Sequence, residues 1–280
     1  MKIIIIGAKG MLGQELARVF ADQKPFLWDR DDIDITDEKL VQGKILEVKP
    51  DVVINAAAFN DVDGAEKNEA LAKKINGYGP GYLAKTLSAS GGILVHYSTD
   101  YVFKGDKKEG YQEEDRPDPQ SAYARSKFLG EQEVRKNIDN FYIIRLSRLF
   151  GQPATSATAK KSFVQLMLDL AKTKKELNIV NEELDCPTYA PDLALKTKEI
   201  IDQKKPYGIY HVTNSSGCTW FDFAKEIFTL KNIDVKLNPV PTSFFPRPAV
   251  RPKYSVLLNT KLAAMRSWQE ALKEFLANIR

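Results

Sequence analysis

Lys2-Ile3-Ile4-Ile5-Ile6-Gly7-Ala8-Lys9-Gly10-Met11-Leu12-Gly13 stands at the head of the chain, and its reading decides the fold. A continuous run of β-branched residues ended by glycine describes a parallel strand buried on both faces. Met11, Leu12, Leu16, Val19 and Phe20 then recur at roughly helical spacing, and the chain extends again at Phe26-Leu27-Trp28 before Asp29. This is one β-α-β unit. Gly7, Gly10 and Gly13, between strand and helix, permit a tight turn, close backbone approach to a pyrophosphate and a helix N-terminus aimed at its charge.

The alternation continues with a helix over Glu38–Val48, a strand over 51–54, a long helix over 65–90, a strand over 93–97, a helix carrying Tyr123 and a strand over 142–146. Strands alternating with helices predict an α/β fold of Rossmann type, a doubly wound parallel sheet. Beyond Gly151 the rhythm changes to a polar loop over 153–160, a helix near 162–172 and a proline-rich tract over 239–252 before the last helix. The border is therefore expected at 151. Residues 1–151 would form an NAD(P)-binding domain and 152–280 a small α/β substrate domain, with the helix over 189–202 placed to pack back on the first. The acidic stretch 29–37 reads as a surface loop and the charge cluster 172–176 as a solvated helix end. Trp220 and Phe221 open a helix and read as core.

The 280 residues can bury a sufficient core, and 43% hydrophobic with 28% charged residues matches an ordinary soluble globule. The apolar opening is too short for a signal peptide, and no stretch approaches the ~20 apolar residues of a spanning helix. A cytoplasmic protein with no membrane partner is expected. The net charge of +4, carried by scattered Lys and Arg, points to anionic small molecules and away from nucleic acid. Cys186, Cys218, His96 and His211 are the only cysteines and histidines, and they lack metal-ligand spacing.

Tyr123-Ala124-Arg125-Ser126-Lys127 carries the chemistry. A phenol with a pKa of about 10 exchanges its proton slowly at neutral pH. Residues four apart share a helix face, so the Lys127 ammonium is expected to lower the Tyr123 pKa and make the phenol a usable acid. Thr99, with Ser98 beside it at the end of a strand, would donate to or orient the same carbonyl oxygen. The reaction implied is carbonyl reduction by hydride transfer. Asp29, at the end of the second strand, stands where a carboxylate accepts from an adenosine ribose hydroxyl, whereas Arg30 suits a 2′-phosphate. The cofactor is therefore NADPH or NADH, with a lean to NADPH; the bland role for Arg30 is a surface pair with Asp31 or Asp32. Asn55-Ala56-Ala57-Ala58 follows the third strand with side chains small enough to let a cofactor pass above the strand ends.

Taken together, these residues resemble the dTDP-4-dehydrorhamnose reductase family of extended short-chain dehydrogenases. The resemblance runs nearly end to end: the glycine motif, Asp51-Val52-Val53-Ile54-Asn55-Ala56-Ala57-Ala58, Val62-Asp63-x-Ala65-Glu66, His96-Tyr97-Ser98-Thr99-Asp100-Tyr101-Val102-Phe103, the Tyr123 motif, Pro187-Thr188 and Arg251-Pro252 leading to Leu258-Asn259-Thr260-x-Leu262. It implies reduction of the C4 keto group of dTDP-6-deoxy-L-lyxo-4-hexulose. By position it implies that Tyr123 is the proton donor, Lys127 its pKa modulator and ribose ligand, and Thr99 the assisting hydroxyl. The implied cofactor contacts are Gly7, Gly10, Met11, Leu12, Gly13, Asp29, Arg30, Asn55, Ala56, Ala57, Ala58, Asn76 and Ser98, with Tyr123 and Lys127. The implied nucleotide-sugar contacts are Thr99, Asp100, Val102, Arg148 and Arg251. A homodimer and a Mg²⁺ ion enter as family-level expectations only.

The sequence departs from the family where Arg148 replaces an aromatic and where Glu183-Leu184-Asp185-Cys186-Pro187-Thr188 carries carboxylates in place of an amide and a glycine. These carboxylates face away, pair with Arg148 or serve a different sugar. Two competing readings share the fold. One is a non-catalytic NAD(P)-binding subunit similar to the regulatory β subunit of methionine adenosyltransferase. The other is a nucleotide-sugar epimerase or dehydratase, which returns the hydride to the sugar within one cycle.

Overall fold

The computed structural model describes residues 1–156 and 161–279; positions 157–160 of the polar loop and residue 280 lie outside the described residues. The first half runs β1 (Ile3–Ile6), α1 (Met11–Val19), β2 (Phe26–Trp28), α2 (Glu38–Val48), β3 (Val52–Asn55), α3 (Val62–Lys67), α4 (Glu69–Lys73), α5 (Gly79–Ser90), β4 (Ile93–Thr99), α6 (Ala122–Asn137) and β5 (Phe141–Leu146). The second runs β6 (Leu149–Phe150), α7 (Phe163–Ala171), β7 (Glu176–Val180), β8 (Leu184–Asp185), β9 (Thr188–Tyr189), α8 (Ala190–Asp202), β10 (Gly208–His211), β11 (Cys218–Thr219), α9 (Trp220–Lys231), β12 (Lys236–Val240) and α10 (Trp268–Asn278).

Six parallel strands form the central sheet in the order β10-β5-β4-β3-β1-β2. Strand order reverses between β1 and β3, and the carboxyl ends of these strands open the crevice where this architecture takes ligands. Both faces are buried. Ile3 and Ile5 point into one apolar cluster with Leu16, Phe20 and Ile144, and Ile4 and Ile6 into the other with Val41, Leu83 and Ile143. The period of two along β1 thus divides four isoleucines between two helical layers.

The helix expected over 65–90 is broken into α3, α4 and α5, with a π-helical turn over Lys74–Tyr78. Pro80 in the first turn of α5 has no N–H for the helix ladder. Gly77 and Gly79 face neighbours too close for a Cβ, Leu129 Cδ2 at 2.6 Å and Ile35 O at 3.0 Å, so the bend fits this layer beneath α6. The later elements return to the sheet. Leu193, Ala194, Ile200 and Ile201 of α8 join the cluster under α1, and β10 adds the sixth strand beside β5. The remaining C-terminal elements enclose a separate aromatic core of Phe150, Tyr189, Phe223, Trp268 and Phe275, against which Trp220 and Phe221 pack half-buried. The acidic stretch is largely exposed, anchored by buried Ile33 and Ile35, and Asp37 caps α2 by accepting from Lys39 N and Leu40 N.

Candidate active site

β1 hands the chain to Gly7 at φ 81°, where a side chain would be strained and its Cβ would meet Ala57 N at 2.8 Å. A Cβ on Gly13 would stand 2.1 Å from Gly7 O, so that glycine lets α1 press against the turn. Gly10 caps α1 with no side-chain hydrogen bond, leaving the first-turn N–H groups without a side-chain acceptor. Those donors, beside Met11 and Leu12, suit a diphosphate. Leu12 puts its side chain into the core, which leaves its main chain for the expected cofactor contact.

Asp29 follows β2 and accepts from Lys9 N at 3.0 Å and Arg30 N at 2.9 Å, tying the second strand to the glycine turn. Asp31 pairs with Lys9 Nζ at 2.9 Å and Asp32 accepts from Asp29 N at 2.8 Å, so neither forms the surface pair with Arg30. Asn55, buried at the end of β3, donates to His96 Nδ1 at 3.3 Å and accepts from Ala57 N at 3.2 Å. It thereby shapes the turn through Ala56, Ala57 and Ala58. Asn76 is a brace: its amide donates to Phe59 O and Ser126 Oγ, and its oxygen accepts from Phe59 N at 2.8 Å. These bonds join the loop after β3 to α6.

The reacting group assembles at the end of β4. Ser121 caps α6 by accepting from Ala124 N, and Glu66 Oε1 accepts from Ala122 N at 2.8 Å. Together they seat the helix so that Tyr123 lies beside Thr99, whose side chain favours the charged phenol. Tyr101 packs edge-on against the Tyr123 ring at 5.9 Å. Ser98 Oγ is buried with no hydrogen-bond partner, an unsatisfied group beside the same strand end.

Lys127 is buried at 3% exposure and its Nζ donates to Tyr97 O at 2.5 Å. Burial lowers it to about 8, with Glu131 opposing. Lys127 is not among the groups that shift the Tyr123 phenol. Burial first, then the Asp100 charge, push that phenol above its usual range, and the Thr99 side chain pulls it only partly back. Lys127 shares the helix face as the spacing predicted, but its ammonium is drawn down to a strand carbonyl. An unpartnered buried hydroxyl, an uncapped helix start and a close glycine turn fit a bound dinucleotide.

Three residues expected to meet the substrate have these surroundings. Val102 is wholly buried with Phe103, Tyr111 and Leu257, so its side chain is core. Arg148, at φ 39°, has its guanidinium 2.5 Å from Asp185 Oδ1, donates to Cys218 O at 2.9 Å and Glu183 O at 2.7 Å, and lies over the Trp220 ring at 3.8 Å. These contacts take one N–H from each nitrogen of the guanidinium. Arg251 grips Asp63 with two nitrogens, at 3.0 and 2.7 Å, and donates to Ala249 O. This joins the 249–251 segment to α3, and Arg251 is not free to meet a diphosphate while the pair holds.

The carboxylates of 183–185 pair internally: Asp185 with Arg148, Glu183 with Arg247 and with Trp220 Nε1 at 3.0 Å. Of the alternatives open from sequence, pairing with Arg148 is observed for Asp185, while the Glu183 carboxylate goes to Arg247. The sequence reading missed Ser255, whose Oγ donates to Asp100 Oδ2 at 2.6 Å, and Arg247. No local pattern marks either, since both meet their partners only through the fold. Two open clefts of about 590 and 690 Å³ lie in the C-terminal region, beside Phe228 and beside Leu168, and hold none of the reacting residues. Among the described residues no group of three or more His, Cys, Asp or Glu side chains is arranged to hold a metal ion. No helix among them is long and apolar enough to cross a membrane.

Comparison with known proteins places this geometry in context. The family model described as RmlD substrate binding domain matches residues 1–280. A solved dTDP-4-dehydrorhamnose reductase from Clostridium acetobutylicum is 42% identical with a TM-score of 0.93, covering 99% of each chain. That from Bacillus anthracis, solved in complex with NADP, is 37% identical with a TM-score of 0.94 over 100% of both chains. A spore coat polysaccharide biosynthesis protein of Bacillus subtilis is 37% identical over 98% of this chain and 96% of its own.

Proposed function

The chain belongs to the RmlD substrate binding domain family, and from that premise we propose that it reduces the C4 keto group of dTDP-6-deoxy-L-lyxo-4-hexulose to give dTDP-L-rhamnose, using NADPH. It is an oxidoreductase of Rossmann fold. The observation that carries the reading is the convergence of Tyr123, Thr99 and Lys127 at the end of β4, in one sheet with the glycine turn after β1. NADPH, when bound, supplies the hydride; every other requirement falls to side chains of this chain. Tyr123 gives the proton to the carbonyl oxygen. Lys127 holds a positive charge beneath the site from its seat on the Tyr97 carbonyl. Asp29 and Arg30 are assigned to the adenosine end, Met11 and the glycine turn to the diphosphate, and Ala56, Ala57, Ala58 and Ser98 to the cofactor face.

The cofactor is assigned to residues 1–151 and the nucleotide-sugar to a surface that residues 152–280 complete. A cytoplasmic location and a homodimer complete the proposal, the latter checked by light scattering on the purified protein. The decisive assay follows NADPH oxidation, with NADH in parallel, against the keto-sugar nucleotide generated in situ. Consumption equal to the sugar supplied, with dTDP-L-rhamnose as product, supports the reading. Tight NADPH binding without consumption sinks it and favours the binding-subunit alternative, and product formed without net consumption favours an epimerase.

A further inference from the structure

Asn55 ends β3 and His96 stands beside it in β4, the two in register across the parallel pair. Val53 and Leu94, one pleat earlier on the same face, belong to the apolar core, so this row of side chains turns polar only at Asn55 and His96. Both are buried. Ala57 N can only donate, so the Asn55 oxygen must face it, at 3.2 Å, and the Asn55 amide nitrogen then faces His96 Nδ1, at 3.3 Å. That nitrogen too can only donate. Nδ1 is therefore the acceptor, and the neutral ring carries its proton on Nε2. One backbone N–H fixes the direction of every bond in the row.

On its other side the ring meets the helix of Tyr123 and Lys127. A Cβ on Gly130 of α6 would stand 3.2 Å from His96 Nε2 and 2.2 Å from Asn76 O, so α6 backs directly onto the imidazole at this glycine. Nε2 has no hydrogen-bond partner among the described residues. A buried N–H without an acceptor carries a cost that an apolar side chain of similar size avoids, so packing alone does not call for a histidine here. What the ring supplies is Nδ1. Burial first, then the Lys127 charge, hold His96 well below its ordinary value, which keeps it the neutral acceptor.

We propose that His96 is a positioning residue for the cofactor: its Nδ1 fixes the Asn55 amide so that the turn through Ala56, Ala57 and Ala58 stands against Gly7. This deepens the reductase reading and rests on it. Turn and glycine are in close contact, since a Cβ on Gly7 would lie 2.8 Å from Ala57 N and 2.9 Å from Ala56 C. Without Nδ1 the Asn55 amide loses the partner that distinguishes its nitrogen from its oxygen, and its hold on Ala57 N goes with it. The cofactor surface then loosens at the glycine turn while Tyr123, Thr99 and Lys127 keep their places.

The test is an NADPH titration of the wild-type chain, His96→Leu, His96→Asn, Asn55→Ala and the double variant of His96→Leu with Asn55→Ala, with the Tm of each cofactor-free protein measured alongside. His96→Leu should raise the NADPH Kd by about five- to tenfold, the worth of one hydrogen bond, and leave kcat at saturating NADPH within about twofold of wild type. His96→Asn returns an acceptor oxygen close to where Nδ1 stood and should bring the Kd back to within about twofold of wild type, whatever its Tm. In the Asn55→Ala background His96→Leu should change the Kd by less than about twofold, because the ring acts only through that amide. A histidine that only fills space gives the opposite: Kd changes that add in the double variant, follow Tm and are not rescued by asparagine. That pattern overturns the proposal, as does a fall in kcat at unchanged Kd, or an Nδ1-protonated His96 in the nitrogen NMR spectrum of the cofactor-free protein. Should His96→Leu fail to fold, the ring tautomer and the His96→Asn titration decide. A wild-type chain that binds NADPH but oxidises none fails the reductase reading and leaves the Kd cycle to decide this inference, whereas wild-type turnover with additive variants fails this inference alone.

Discussion

Tyr123 differs from phenylalanine by one oxygen, and that oxygen is the proposed proton donor. Tyr123→Phe should therefore cut kcat by about 10²–10⁴-fold while leaving NADPH affinity intact, read by steady-state kinetics and a fluorescence titration. Undiminished turnover would remove Tyr123 from its role. Gly13 makes a different demand. A Cβ there would lie 2.1 Å from Gly7 O, a backbone atom that cannot swing away. Gly13→Ala should lower stability by about 1–3 kcal/mol and weaken NADPH binding, seen as a lower Tm and a higher Kd. At this scale the sequence was legible where a residue's task is set by near neighbours: glycines in a turn, a phenol and an amine one helical turn apart. It was not legible for Arg148, Arg251, Asn76 and Val102, whose partners Asp185, Asp63, Phe59 and Leu257 arrive from other elements. A guanidinium reads the same in sequence whether its fork faces a ligand or a buried carboxylate.

Helix α6 shows how an element is held to its task. Ser121 and Glu66 fix its start, Asn76 and Ser126 its first turns, and Glu131 grips Arg145 of β5 through both oxygens at 2.9 and 2.7 Å, each residue 1% exposed. Breaking such a pair from one side leaves a buried charge alone. Glu131→Leu should cost about 3–5 kcal/mol, measured by urea unfolding, whereas replacing both partners with apolar residues should cost less. If the single and double variants lose the same stability, the pair is not the cause. Strands β1 to β5 and most helices followed from periodicity, because burial on one face or both writes its period directly into the residues, whereas β7, β10 and β12 were not read from it. The long helix over 65–90 failed as one element because Gly77, Gly79 and Pro80 interrupt a pattern whose apolar positions alone looked continuous. The short pairs β6 with β9 and β8 with β11 have two residues a strand, too few to show any period.

The whole molecule carries two buried histidines whose neutrality links stability to pH. His211 donates from Nδ1 to Leu258 O at 3.1 Å and turns Nε2 to Arg145 Nη1 at 3.4 Å, an arrangement that requires an uncharged ring. Burial first, then Arg145, push His211 down to about 3, and burial holds His96 well below its ordinary value. Below the ordinary imidazole value the unfolded chain binds a proton that the folded chain refuses, so stability from these groups is present above it and lost as pH falls. Asp100 and Asp185, both raised by burial, act in the opposite sense, binding protons first in the folded state. The separable prediction is that His211→Gln, whatever it costs at pH 7, loses about 2 kcal/mol less than wild type on going to pH 5. Parallel urea curves at the two pH values decide it; equal losses would mean that His211 does not set the acid limb. The chain's path has a consequence in time as well. Gly7, Gly10 and Gly13 leave a ribosome well before Ser255, which holds Asp100, and Leu257, which packs on Val102, and β10 must also arrive before the sheet has its sixth strand. During synthesis the glycine turn is therefore within reach of the growing chain long before the segment that seals the end of β4 is in place.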